Sequence, residues 1–151
     1  MSRKTIAVVA MFLLLCGVPV FSANSATNSA VTVGVARTRL GPILVDGTGH
    51  TLYLLTLDRK RSSSCTNLAS FNCVAGWPPL LTIGKPHAGP GVNPALLGTM
   101  HRTKPSGVQV TYNGHPLYRN VQDTAPGDVK GQGGFGTWYV VSPKGTPVKR
   151  K

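Results

Sequence analysis

The sequence predicts an all-β domain, a small barrel or sandwich built from two copies of one hairpin unit. Three observations predict it. The phrase Gly49-His50-Thr51-Leu52-Tyr53, running on to Asp58, returns sixty-five positions later as Gly114-His115-Pro116-Leu117-Tyr118, running on to Asp123. Five coincident residues at one offset mark an internal duplication. The chain holds 18 glycines and 12 prolines among 151 residues and no glutamate, so helix breakers are plentiful and surface helix formers scarce. Short apolar alternations recur between turn signals, which is the pattern of strands. One hairpin cannot bury its apolar face alone, whereas two can shield each other, so the units are expected to pack face to face.

Taken in order, residues 1–25 read as a signal peptide. Arg3 and Lys4 precede an uncharged apolar run from Ile6 to Val20, shorter than the roughly 20 residues of a membrane span. Cleavage after Ser25 or after Ala23 fits the small residues there. A second reading is acylation of Cys16 in Leu13-Leu14-Leu15-Cys16-Gly17, although Leu15 is large for a lipobox. Residues 26–34 are small and polar and read as a flexible leader. The expected domain is 35–145, with repeat 1 at 35–81, a connector at 82–106 and repeat 2 at 107–145. Residues 146–151 are expected to be a disordered basic tail.

Within the first repeat, Val31–Arg37, Pro42–Asp46 and Thr51–Thr56 are expected strands, with Asp46-Gly47-Thr48-Gly49 as the turn. Leu52, Leu54 and Thr56 share one face of the third strand, and Tyr53 and Leu55 the other. Trp77-Pro78-Pro79-Leu80-Leu81 is an extended edge segment, because its prolines exclude a helix. Asn93-Pro94-Ala95-Leu96-Leu97-Gly98 predicts the one short helix, near 94–98, with Asn93 as cap and Gly98 as terminator. In the second repeat Gly107–Tyr112 and His115–Val121 flank Asn113-Gly114, a strong hairpin signal. Thr137–Ser142 closes the unit. Each copy thus reads strand, turn, Leu-Tyr strand, aspartate, loop and tryptophan segment.

Cys65 and Cys73, with seven residues between them, are the two cysteines left after processing, and export makes a disulfide the expected state. So short a loop gives an entropic gain of about 2–3 kcal/mol. Of the 16 Lys and Arg, removal of Arg3 and Lys4 leaves 14 against four aspartates, a formal charge near +10. Arg59-Lys60-Arg61, Arg102-Thr103-Lys104 and Lys149-Arg150-Lys151 are the basic clusters, and such a field favours polyanions. The run Gly131-Gln132-Gly133-Gly134 is no phosphate loop, because no helix and no Gly-Lys-Ser/Thr follows.

The ordered set Tyr53–Asp58, the two cysteines, Ala75-Gly76-Trp77-Pro78-Pro79-Leu80, Gln109–Tyr118, Pro126-Gly127-Asp128 and Trp138–Pro143 resembles the bacterial secreted-repeat family, predicted lipoproteins with a Tyr-x-(Phe/Trp/Tyr)-x-x-Asp motif. The resemblance spans roughly residues 35 to 145. It implies export, often with lipid attachment, and supplies no activity. The motif's aromatic position holds Leu55 in one copy and Asn120 in the other. The cysteines stand farther apart than is usual in the family, which suggests an inserted segment at Asn67 to Asn72.

Several site readings follow. His50 and His115 stand beside equivalent turns. If the pseudo-twofold brought the turns together, the two could share a metal, with Met100, His101 and His87 completing a copper-type or redox-cofactor site. Asp58 and Asp123 are the carboxylate pair that a glycosidase would need, although strand-ending aspartates usually bond the following loop's backbone. Trp77, Trp138 and Tyr139, with Tyr53 and Tyr118, form either a ligand-stacking surface or cross-strand packing. Arg59, Lys60, Arg61, Arg102 and Lys104 form the basic patch. The reading that emerges is an exported, non-enzymatic binding protein for an anionic surface polymer or an envelope partner, with no specific nucleic acid. A His50/His115 metal carrier is the alternative, and a hydrolase ranks last.

Overall fold

The computed structural model describes residues 30–68 and 71–150. The expected signal peptide, Cys16 and the first part of the leader lie outside the described residues. β1 (Thr32–Thr38) and β2 (Gly41–Asp46) form an antiparallel hairpin, in register from Val33↔Asp46 to Thr38↔Gly41. β3 (Tyr53–Leu55) follows. The chain then runs through the short pair β4 (Asn67–Leu68) and β5 (Phe71–Asn72) into α1 (Cys73–Gly76), whose first turn is capped by the Asn72 side chain. β6 (His87–Ala88) lies parallel to β1. β7 (Leu97–Thr103), β8 (Ser106–Tyr112) and β9 (His115–Pro116) make a meander, and β10 (Trp138–Val140) pairs antiparallel with β3. Asn113 (φ 50°) and Gly114 (φ 79°) take the paired left-handed turn that the sequence predicts. The fold is all-β, and among the described residues its sheets do not close into a barrel. No described helix is long and apolar enough to cross a membrane.

The two units are joined edge to edge rather than face to face. Tyr53 N–H donates to Tyr118 O at 2.9 Å, and Tyr118 N–H donates to Tyr53 O at 3.0 Å. This reciprocal pair relates equivalent residues, so an approximate twofold axis runs between them. Val140 flanks Tyr53 on its other side and Pro79 flanks Tyr118, which gives a row Val140–Tyr53–Tyr118–Pro79. The symmetry extends outward: Thr56 N–H donates to Thr137 O (2.9 Å), as Val121 N–H does to Gly76 O (3.1 Å). Leu80 N–H donates to Leu117 O (2.9 Å), as Val141 N–H does to Leu52 O (3.2 Å).

Both faces of this row are buried. Tyr53, Leu55, Trp77, Tyr118, Trp138 and Val140 enter one core cluster; Leu52, Leu54, Leu80, Leu117 and Val141 enter the other. The alternation read along β3 is therefore correct, but its second face is covered as completely as the first. The physical reason is the edge pairing, which puts β3 in the middle of a sheet.

Four expectations are corrected. No helix forms near 94–98. Asn93 caps a single turn through Ala95 N–H (3.0 Å), and strand pairing of Leu97 with Tyr112 then takes the chain. β7 lies inside the expected connector and repeats β1 at the same sixty-five-residue offset, so each unit begins earlier than the sequence suggested. β1 begins at Thr32, inside the segment read as leader, held by β2 and β6. The tail is ordered through Arg150: Pro147 pairs with Val141, Val148 is buried, and Gln132 Nε2 donates to the carbonyls of Val148 (2.6 Å) and Arg150 (2.9 Å).

Candidate functional site

The repeated tyrosines and aspartates are brought together, but crosswise. Tyr53 Oη donates to Asp123 Oδ2 at 2.6 Å and Tyr118 Oη donates to Asp58 Oδ2 at 2.5 Å. Each unit's tyrosine thus bonds the other unit's aspartate. Burial and the adjoining carboxylate both push each phenol's pKa up, so the phenol keeps its proton and remains the donor. The other carboxylate oxygens are also engaged. Asp58 Oδ1 accepts from Ser64 N–H and Oγ–H, both at 2.7 Å, and Asp123 Oδ1 accepts from Lys130 N–H at 2.8 Å. These aspartates tie down the loops that follow them and join the two halves.

The same symmetry separates the histidines. Tyr53 and Tyr118 are opposed in antiparallel strands, so His50 and His115 fall at opposite ends, about 20 Å apart over six strand positions. A shared metal between them is excluded by this register. On β7, Met100 is buried and His101 exposed, so neighbouring side chains leave on opposite faces. Among the described residues no cluster of three or more His, Cys or Asp side chains could hold a metal. His50 Nδ1 instead lies 2.9 Å from Thr48 Oγ1.

His115 has a different character. Its Nδ1 is buried without a hydrogen-bond partner, and burial, then the Lys60 charge, push its pKa below the usual value, against the pull of Asp58. Above the unfolded value of 6.5 both states are neutral; below it the unfolded chain takes up a proton that the folded state resists. Stability is therefore expected to fall as pH drops below about 6.5, levelling once the folded histidine protonates. His115→Asn should flatten that decline in thermal unfolding between about pH 7.5 and 5, above the carboxylate range where Asp46 acts. Asp46 is itself buried, which pushes its carboxyl up. Hydrogen bonds from Thr48, the Arg119 charge and the His50 N–H outweigh that and hold it low. Arg119 Nε stands 2.6 Å from Asp46 Oδ2 without its N–H aimed at it, so the contact is an ion pair rather than a directed hydrogen bond.

The basic patch divides. Arg59, Lys60, Arg61 and Lys104 are exposed. Arg102 is not a surface residue, being only 7 % exposed. Its guanidinium donates to Gln109 Oε1 (2.6 Å), Cys65 O (2.7 Å), Lys104 O (2.8 Å), Pro105 O (3.2 Å) and Ser63 Oγ (3.5 Å). It braces the disulfide loop against the β7–β8 hairpin. The disulfide Cys65–Cys73 is formed, with Cα atoms 5.3 Å apart.

Trp77 and Trp138 do not form an open stacking platform. Their rings stack on each other with centroids 4.0 Å apart and parallel planes, and Tyr53 and Tyr118 meet them edge-on at 5.4 and 5.0 Å. Trp138, and not Trp77, lines a groove of about 420 Å³, together with Leu55, Leu57, the Cys65–Cys73 disulfide and Phe135. Leu57 and Phe135 were not singled out by the sequence; a phenylalanine set among Gly133, Gly134 and Gly136 was the available sign. Phe135 is 81 % exposed at φ 51°, and Tyr139 Oη holds its loop by donating to Gly136 O (3.1 Å). Across the chain segment Ser62–Thr66 lies a polar cleft of about 200 Å³ lined by Arg61, His101, Arg102 and Lys104.

Residues 100–142 match a family described as a secreted repeat of unknown function. No curated protein and no solved structure matches the chain. The matched segment runs from within β7 to just beyond β10, which is most of the second symmetry-related unit. That family is described as secreted. Within this second unit, residues 100–142 are thus similar to a secreted repeat of unknown function.

Proposed function

We propose that the protein is an exported, non-enzymatic binding protein whose partner carries negative charge, such as an anionic envelope polymer or an acidic envelope protein. The carrying observation is where the acids go. Asp46 faces Arg119, Asp128 faces Lys130, and Asp58 and Asp123 are held by tyrosines and loop N–H groups. These are all the carboxylate side chains in the sequence. The exposed run Arg59-Lys60-Arg61 has no ion pair among the described residues, so its field is not cancelled locally. Engagement of Asp58 and Asp123 in structural bonds also speaks for binding over a paired-carboxylate hydrolysis.

Retention on immobilised dextran sulfate tests this. The protein should bind at about 50 mM salt and elute steeply as salt rises, because released counterions drive such binding. Replacing Arg59, Lys60 and Arg61 together by alanine should reduce the salt slope by about 2. Retention that is indifferent to salt would remove the electrostatic reading.

A further inference from the structure

The apolar groove and the basic cleft lie on either side of one segment, Ser62–Thr66, and Thr66 lines both. We propose, resting on the anionic-partner reading above, that together they hold an anionic amphiphile. Its hydrocarbon chain occupies the groove and its phosphate- or sulfate-like head the cleft. The groove's volume of about 420 Å³ falls in the range of small-molecule sites, roughly 300–1,000 Å³. Its wall is hydrocarbon and sulfur, with hydroxyls from Ser64, Thr66 and Thr137. Such a lining offers a hydrocarbon chain a mostly apolar area to cover.

Two side chains at this groove stay in water although they are apolar: Leu57, 67 % exposed, and Phe135, 81 % exposed. Neighbouring exposed apolar side chains of this size mark interaction sites. Phe135 is held outward by a left-handed backbone that a phenylalanine rarely adopts, flanked by glycines that permit the loop's path. The cleft supplies the other half of the complementarity. Arg61, Arg102 and Lys104 make no ion pair among the described residues. Arg102 has its donors engaged and contributes a fixed positive field, while the exposed Arg61 and Lys104 are able to close on a head group. A neutral ligand would leave this charge unused, and a simple inorganic anion would leave the groove empty.

Trp138 on the groove wall provides the readout. Octyl phosphate, octyl glucoside and inorganic phosphate, each below any micelle concentration, are titrated against the whole domain by tryptophan fluorescence. Octyl phosphate should give a saturable change at one per chain, weakened at least about tenfold by Phe135→Ser, or by Arg61→Ala with Lys104→Ala. Phe135 is too exposed for its loss to unfold the domain, and near-ultraviolet circular dichroism verifies that. Octyl glucoside should bind about tenfold more weakly, and phosphate alone should leave the emission unchanged. Equal binding of octyl glucoside and octyl phosphate would overturn the charged-head assignment. No saturable change with octyl phosphate, with dextran sulfate retention intact, would overturn the amphiphile and leave the polyanion reading standing. Octyl phosphate binding without dextran sulfate retention would support the amphiphile and remove the polymer.

Discussion

Trp77→Ala is expected to lower the unfolding free energy by about 3–5 kcal/mol, the range for truncating a buried large aromatic. Trp77 is stacked on its symmetry equivalent Trp138 at 4.0 Å, with Tyr53 against its edge. The loop of the second unit is built around it. A Cβ at Gly131 would come within 2.7 Å of the Trp77 ring, so the bare glycine is what lets the backbone approach. Removing the indole leaves a cavity that both units line, and neither can collapse into it without breaking the central row. Domains of this size have about 5–15 kcal/mol in total, so the variant should sit near the edge of folding. Urea unfolding is the measurement: the midpoint should fall with little change in slope. Tyr139→Ala, at a half-buried position on the same closing strand, is the control and should cost much less.

Tyr53→Phe and Tyr118→Phe are each expected to cost about 1–3 kcal/mol, and by similar amounts. Each substitution removes one hydroxyl and leaves the partner carboxylate, Asp123 or Asp58, buried without that donor. Because the bonds cross between units, either change should loosen contacts in both halves. Amide exchange should then speed up at Ser64 when Tyr118 is altered and at Lys130 when Tyr53 is altered, since those N–H groups bond the same carboxylates. Asp58→Asn should cost at least as much as Tyr118→Phe, because an amide has one acceptor oxygen and must turn its NH2 toward either the phenol or the Ser64 N–H. A loss of less than about 0.5 kcal/mol in both tyrosine variants would show that the crossed bonds do not hold the units together.

What the sequence showed and hid has a physical explanation. Duplication, the Asn113-Gly114 turn, the faces of β3 and the Cys65–Cys73 link all depend on neighbours in the chain, and all were legible. β7 was not, because Leu97–Thr103 mixes glycine, threonine, histidine and arginine without apolar alternation, and its identity as a strand comes from β8. The Asn93-Pro94 start is a sound helix cap; pairing in the sheet overrides it after one turn. Arg102 reads as surface because its charge is visible in sequence and the carbonyls that cage it are not. The histidine symmetry was right in topology and wrong in geometry: an axis between antiparallel strands sends equivalent turns apart. The basic cleft needs β7 beside the disulfide loop, a placement no local pattern contains.

The crossed tyrosine bonds span 70 and 60 residues of chain. A solenoid can lay down one module and then the next, each resting on its predecessor. This molecule has no such first step. A chain delivered from its N-terminus keeps Tyr53 waiting until Asp123 arrives, and Trp77 waiting until Trp138 arrives. It is therefore expected to close once and late, because each half lacks the bonds that the other supplies.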